Sequence, residues 1–167
     1  LGDKTELESI VIKDAAKSVD LELRCKADCS WNSTKADWVL VRPVEFDADD
    51  ANVGTFLSAT FGSNFIETLA LEKNQDLSSY GLAEEQRTKN FIELKVKNLD
   101  STKPSQRYVV YVGDETPIDG NLYLLVKRPE AADALYIASN TIRVNQQRVA
   151  SFWRNKKIFR FESKDVD

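Results

Sequence analysis

The segment FIELKV, residues 91–96, decides the fold class of this chain because apolar and charged residues alternate one by one from Ile92 to Val96. Ile92, Leu94 and Val96 fall on one side, and the charged residues fall on the other. Side chains along a β-strand point alternately to the two faces of a sheet, so this pattern predicts a strand with one buried face. The segment RYVVYVG, residues 107–113, predicts a further strand soon after it.

The same alternation recurs along most of the chain. Pro43 ends one of these segments, because proline has no amide hydrogen to donate to a neighbouring strand. Three further predicted strands have a defined face: one with Ile10 and Ile12, one with Val19, Leu21, Leu23 and Cys25, and one with Trp38 and Leu40 opposite Val39 and Val41. The segments NLYLLVKR, ALYIAS and KKIFRFE are also predicted to be strands.

Two segments predict helices instead. In FDADDANVGTFLSATFG, residues 46–62, we expect Asp47 to cap the helix, Asp49 and Asp50 to lie in its first turn, and Gly62 to end it. We expect the second helix within SNTIRVNQQRVASFWRN, residues 139–155. The residues expected on the buried sides are Val53, Phe56, Leu57, Thr60 and Phe61 in the first helix, and Ile142, Val149, Phe152 and Trp153 in the second.

Together these elements predict an α+β fold, with a mainly antiparallel sheet of about seven to nine strands and two helices packed on it. The length of 167 residues suits a single domain, residues 1–167. The polar segment EKNQDLSSYGLAEEQRTKN, residues 72–90, is expected to be a surface loop.

The composition argues against several classes of function. A net charge of −4 disfavours a nucleic-acid-binding protein, whose surface should be basic. The chain has no histidine, so it lacks the commonest general acid–base and metal ligand, and a triad hydrolase is disfavoured. No Gly-rich phosphate loop occurs, and we expect no bound cofactor.

No apolar run approaches the ~20 residues that cross a bilayer, and no signal peptide opens the chain. Because there is no methionine either, we expect a piece of a longer, membrane-anchored protein.

The segment RCKADCSW, residues 24–31, holds the two cysteines of the chain, Cys25 and Cys29. Residues 26–28 suit a turn, and opposed residues of a hairpin come within disulfide reach. Two unpaired thiols, or a metal or redox site, are the alternatives. A zinc ion would need two carboxylate ligands in addition, and the spacing is not that of C-x-x-C redox enzymes. We favour a disulfide across a turn, which is typical of oxidising, extracytoplasmic compartments.

Three charged segments have competing interpretations. The acidic run DADD, residues 47–50, suits either a cation site or a charged helix start, and we favour the helix start. The pair Glu84 and Glu85 has no partner acid at a fixed spacing and is expected to be solvated. The segment WRNKKIFRF, residues 153–161, interleaves cations with aromatic residues as a nucleic-acid surface would. Since the whole chain is acidic, we interpret it as a helix end followed by an amphipathic strand.

Several landmarks also follow one another in a recognisable order. They are DWVLVRPVEFDADDANV, DLSSYGLAEEQ, FIELKV with YVVYVGDE, LYLLVK and FWRNKKIFRFESKDV, and they extend from Trp38 to Val166. In this order they resemble the DUF4340 family, a domain of unknown function in bacterial envelope proteins, of which some accompany ABC transporter components of the gliding-motility type. The positions that carry the resemblance, for which it implies structural roles, are Trp38, Pro43, Tyr80, Gly81, Leu82, Gly113, Arg154 and Lys156.

Those roles can be stated individually. Trp38 and Pro43 would anchor and end a strand, and Gly81 would give the backbone freedom in a turn, as Gly113 would after YVVYV. Arg154 and Lys156 would close the second helix and neutralise an acidic loop such as residues 84–85. A ligand-binding role for these two cations is the alternative.

The resemblance implies a non-enzymatic, extracytoplasmic scaffold or partner-binding domain on the periplasmic side, an auxiliary component of an envelope ABC transporter. Its edge strands and residues 74–90 are the expected protein contacts. One alternative is a carbohydrate- or peptide-binding module that uses exposed Trp31, Tyr80 or Trp153. The other is a carboxylate-dependent enzyme, which requires acids at close range with shifted pKa values.

Overall fold

The computed structural model describes residues 5–30, 33, 36–62, 65–98, 100, 102–129 and 131–156. The strands among them are β1 (Leu7–Asp14), β2 (Val19–Ala27), β3 (Asp37–Arg42), β4 (Phe46–Asp47), β5 (Phe65–Leu69), β6 (Asn90–Val96), β7 (Gln106–Glu115), β8 (Leu122–Lys127) and β9 (Ala134–Ala138). The helices are α1 (Asp50–Phe61), α2 (Glu84–Arg87), α3 (Thr141–Gln146) and α4 (Ala150–Trp153), with 3₁₀ turns at Ala15–Lys17 and Ser78–Tyr80.

All nine strands belong to one antiparallel sheet, in the order β4-β3-β2-β1-β6-β7-β8-β9-β5. The centre of the sheet joins distant parts of the chain, because Ile12 of β1 lies beside both Leu21 of β2 and Ile92 of β6. The predicted α+β class, its antiparallel pairing and its number of strands are confirmed.

One face of the sheet, which we call the covered face, carries the main core. Ile92, Leu94 and Val96 are buried on it, as their alternation predicts. They belong to the same apolar cluster as Phe56 of α1 and Ile142 of α3, so the helices cover this face. Transfer of this apolar area out of water, worth roughly 25 cal/mol per Å², holds the helices on the sheet.

The opposite face, which we call the open face, is only partly covered. Over β8 and β9, Leu82 packs with Leu125 and Leu135 in a second, smaller apolar cluster. Over β3, β2, β1 and β6, half-buried and charged side chains such as Lys13 and Glu93 face solvent among the described residues. This division is typical of antiparallel sheets, in which one face can remain solvated.

Helix α1 begins two residues later than the sequence predicted. Asp49, not Asp47, is the N-cap: its carboxylate accepts hydrogen bonds from the amides of Ala51 (3.1 Å) and Asn52 (3.2 Å). Asp47 belongs instead to β4 and pairs with Lys26. Several acids in a row can each cap a helix, so composition alone does not choose between them.

The second predicted helix is two short helices, α3 and α4. Val149 lies between them with an extended backbone and is 59% exposed, so its predicted burial is wrong. The break lets two side chains reach different parts of the core. Gln146 bonds to the backbone of β1, and Trp153 is fully buried beside Phe56.

Other predictions need smaller corrections. Residues 72–90 are not wholly loop, since they contain the Ser78–Tyr80 turn and α2. Strands β4 and β5 were not predicted, because the first has two residues and the second has no buried alternating face. The predicted strand KKIFRFE begins at Lys156 and otherwise lies outside the described residues. None of the described helices is long and apolar enough to cross a membrane.

Candidate functional site

Cys25 and Cys29 form a disulfide, with their Cα atoms 5.9 Å apart. Strand β2 continues past Cys25 to Ala27, and the chain reverses at Asp28, whose φ is 52°. The pair is therefore not the opposed pair of a hairpin, as residues 26–28 suggested, but a clip across the end of β2. Beyond it, the Cys29 carbonyl accepts a hydrogen bond from the amide of Leu7 (2.9 Å), which ties the clip to β1.

The family landmarks YGL and YVVYVG meet at one point of the open face. Gly81 has a φ of +67°, as its predicted turn requires, and a Cβ there would lie 2.6 Å from the amide nitrogen of Asp114. Gly113 serves a different purpose from the one predicted, because it is not among the glycines with positive φ. A side chain at Gly113 would collide with the Tyr80 carbonyl and lie 2.8 Å from Leu82 Cγ. Because Gly81 and Gly113 have no side chains, residues 80–82 can approach the end of β7 closely.

Trp38 and Pro43 lie in and just after β3. Trp38 is buried on the covered face, and its amide donates to the carboxylate of Asp50 (3.1 Å), which joins β3 to the start of α1. Pro43 follows the last residue of β3 through a cis peptide bond with Arg42. Both therefore occupy the positions that the sequence predicted for them.

Arg154 lies at one edge of the sheet, away from Glu84 and Glu85. The backbone of Arg154 pairs with Ala48 in an isolated antiparallel bridge, and the Arg154 guanidinium lies 5.8 Å from the centre of the Phe46 ring. The amide of Asn155 donates to the Asp47 carbonyl (2.9 Å). Residues 153–155 thus close the outer edge of β4. Glu85 has its own partner, Lys89, and α2 packs on β6 and β7. Lys156 is exposed.

The other edge of the sheet is β5, which differs from β4 in its exposure. It is five residues long, four of them exposed, and among the described residues it pairs only with β9. Phe65 and Ile66 are 41% and 60% exposed, although Phe65 also packs against the Tyr136 ring, with 4.5 Å between centroids. Long apolar edges are rare in isolated proteins because they pair with other strands.

A shallow cleft on the open face brings together cations that are far apart in the sequence. We call it the Tyr111 groove. Arg87 from α2 and Lys127 from β8 both lie over the Tyr111 ring, 5.8 and 5.9 Å from its centre. Arg107 lines the same groove and is hydrogen-bonded to Glu93. The alternation of RYVVYVG places Arg107 and Tyr111 on one face, but nothing in the sequence places Arg87 beside them.

The acidic residues singled out in the sequence do not form a cation site. Asp47 pairs with Lys26, Asp49 caps α1, and Asp50 accepts from Trp38. In the described part of the chain, no three His, Cys, Asp or Glu residues are grouped to hold a metal ion.

Four carboxyl groups of the described residues have shifted pKa values, and all four values are lowered. Hydrogen bonds from Lys95 and Ser105 lower the pKa of Glu8, and those from Ser78 lower the pKa of Asp76. The pKa of Glu85 is lowered by Lys89, and that of Asp100 by Thr102. Each shift favours the charged carboxylate, as expected of ion pairs and turns.

Two of the three aromatic residues proposed for a carbohydrate site belong to the described residues. Trp153 is fully buried, as predicted for the second helix, so it is not available as an exposed aromatic residue of such a site. Tyr80 packs edge-on against Tyr123, with ring centroids 4.8 Å apart. Trp31 lies outside the described residues.

Comparison with known proteins identifies a family but does not identify a function. No curated protein and no solved structure matches this chain. A family model described as "Domain of unknown function (DUF4340)" matches residues 38–167. The match begins inside β3, yet the two strands that precede it, β1 and β2, fill the middle of the sheet between β3 and β6. The folded unit thus extends beyond the matched residues, and the chain belongs to the DUF4340 family.

Proposed function

We propose that this domain is a non-enzymatic, extracytoplasmic scaffold of the bacterial envelope that binds a protein partner along β5. The observation that carries the proposal is the contrast between the two edges of the sheet. Residues 153–155 close β4, whereas β5 offers a row of backbone groups beside exposed Phe65 and Ile66. A partner strand added to β5 would hydrogen-bond that backbone and cover the two apolar side chains.

The composition of β5 supports strand addition. Natural edge strands are protected by lysine, proline, bulges or short length. The sequence FIETL has neither lysine nor proline, and its one charge is Glu67. The register shift between Phe65 and Glu67 leaves Glu67–Leu69 in regular pairing with β9. A partner strand would thus find a regularly paired template over these three residues.

Photo-crosslinking in the cells that make the protein tests this proposal. A photoreactive amino acid at Thr68, which is exposed on β5, should give one discrete adduct with another protein. The substitution Ile66→Lys in the same chain should abolish the adduct, because a charge on the edge opposes pairing. The matched control is Val44, which is 65% exposed near the other edge and should give none.

Three outcomes would contradict the proposal. They are no adduct from Thr68, equal adducts from Thr68 and Val44, and an adduct that is a second copy of this chain. An adduct containing an ABC transporter component would extend the proposal to an auxiliary role in that assembly, which the family resemblance suggested.

The disulfide supports the extracytoplasmic part of the proposal, since such bonds persist in oxidising compartments. Alkylation of whole cells with a thiol reagent should leave Cys25 and Cys29 unmodified until a reductant is added. Modification of both cysteines without reductant would contradict this location.

A further inference from the structure

The Tyr111 groove lies on the open face, over β6, β7 and β8, and not at the β5 edge. It has a volume of about 590 Å³ beside α2. A second cleft of about 600 Å³ continues it toward residues 103–106 and 128–129. The two clefts share Arg107, Val109, Tyr111 and Lys127, so they form one channel across the strands. Its open length suits an extended chain better than a compact small molecule.

Two of the cations that line the Tyr111 groove lack an acidic partner among the described residues. Neither Lys13 nor Arg87 has an ion pair among the described residues. The Arg87 Nε is buried and has no hydrogen-bond acceptor there. A buried N–H without an acceptor is destabilising. The remainder of this half-buried side chain keeps a charge that a bound carboxylate would pair with. A cation–π contact with the Tyr111 ring helps to position the Arg87 side chain.

The remaining groups of the groove are mixed in character. Glu84 and Glu93 add negative charge, and Phe91, Val109 and Tyr111 form an apolar floor. A densely charged polyphosphate would meet these carboxylates. A peptide supplies carboxylates for the cations, amide hydrogens for the acids and apolar side chains for the floor.

We propose that the Tyr111 groove binds an acidic, extended segment of a protein partner, whose carboxylates pair with Arg87 and Lys13. The site is separate from β5, so either can exist without the other. Because the chain as a whole carries a net charge of −4, unpaired cations in one groove select a specific acidic segment rather than any polyanion.

Titration with peptides of fixed composition tests the inference. The probe is a ten-residue peptide of alternating glutamate and alanine, and the comparison peptides alternate glutamine or lysine with alanine. The glutamate peptide should bind saturably, shift the backbone NMR signals of Lys13, Arg87 and Tyr111, and weaken as salt is added. The glutamine and lysine peptides should not bind.

Variants separate this site from general charge attraction. The double variant Lys13→Gln, Arg87→Gln should weaken binding of the glutamate peptide about tenfold, since it removes two charge-assisted contacts. Lys73→Gln, at an exposed lysine outside the groove, removes one charge and should change it less than about twofold. Thermal unfolding of each variant establishes that it remains folded.

The inference is wrong if the glutamate peptide does not bind, or if the control variant weakens binding as much as the double variant. It is also wrong if tripolyphosphate produces the same signal shifts at lower concentration, which would make the groove a phosphate site. The β5 crosslink is unaffected by any of these results, so the two proposals fail independently.

Discussion

On the covered face, Ile12 of β1 and Leu94 of β6 are completely buried, whereas Lys13 and Lys95, each one residue further along, face solvent on the opposite side. The covered face is held by apolar packing between sheet and helices. Large parts of the open face are held by exposed ion pairs such as Lys95–Glu8, which contribute little stability individually. The stability of the fold thus depends mainly on one side of the sheet, and substitutions on the two sides should differ in the same way.

The largest effect is expected at Trp153 on the covered face. Its ring packs edge-on against Phe56 (5.1 Å between centroids) and Phe152 (5.2 Å), and its Nε1 donates to the Arg148 carbonyl. The substitution Trp153→Ala should lower the free energy of unfolding by about 3–5 kcal/mol, because the cavity it leaves cannot collapse fully. Urea denaturation measures this change.

The matched control on the open face is Phe91, a half-buried aromatic residue that packs edge-on against Tyr111. Phe91→Ala should lower the free energy of unfolding by about 1 kcal/mol, since much of its ring is already in water. Equal losses for the two variants would mean that the two faces contribute alike to stability.

The next effect concerns a region of the open face that is tightly packed. Gly81→Ala combines a positive φ with a collision against Asp114, and it should lower the free energy of unfolding by about 2–3 kcal/mol. Gly120 is the control, because its φ of +63° is similar but no atom lies within 4 Å of an added Cβ. Gly120→Ala should lower it by about 1 kcal/mol. Equal effects would show that backbone strain, not close packing, requires glycine at residue 81.

The comparison of faces also explains what the sequence could predict. Alternation is a local property, so it correctly assigned Ile10, Leu23 and Leu94 each to the buried side of its own strand. Strand β5 has no such signal, because Phe65 and Ile66 are both exposed and an edge strand need not alternate. Its existence depends on pairing with β9, which is distant in the sequence.

The Tyr111 groove lay beyond prediction for a related reason. Arg87, Tyr111 and Lys127 come from a short helix and two strands, and no spacing between them is characteristic. Lys127 comes beside Tyr111 because β7 pairs with β8 in a register that places Lys127 opposite Val109. Arg87 reaches the same ring because α2 packs on β7. The disulfide could be predicted, since its cysteines are close in the chain, but the position of its turn could not, because it depends on where β2 ends.

A smaller effect is expected where a polar group is buried beneath the helices. Gln146 is fully buried, and its Nε2 donates to the Lys13 carbonyl (2.7 Å) and to Asn90 Oδ1 (2.5 Å). Gln146→Leu keeps most of the volume but leaves both acceptors without this donor, so the free energy of unfolding should fall by about 1–2 kcal/mol. Chemical denaturation measures it. Unchanged stability would mean that water replaces the amide at this position.

The smallest effect is expected from an ion pair on the solvated side, and it depends on pH. Hydrogen bonds from Lys95 (2.6 Å) and Ser105 (2.5 Å) lower the pKa of Glu8 below its ordinary value of 4.5. A carboxyl whose pKa is lower in the folded state stabilises the protein above its unfolded pKa, and this stabilisation is lost as pH falls through the folded pKa.

The free energy of unfolding should therefore fall below about pH 5, and Glu8→Gln should make that fall shallower. Because the pair is substantially exposed, the difference should stay under about 1 kcal/mol. Glu84→Gln, at an exposed acid with no ion pair among the described residues, is the control for the loss of one negative charge. A difference for Glu8 as large as that for Trp153 would overturn the assignment of stability to the covered face, since the ion pairs would then carry as much of it as the core does.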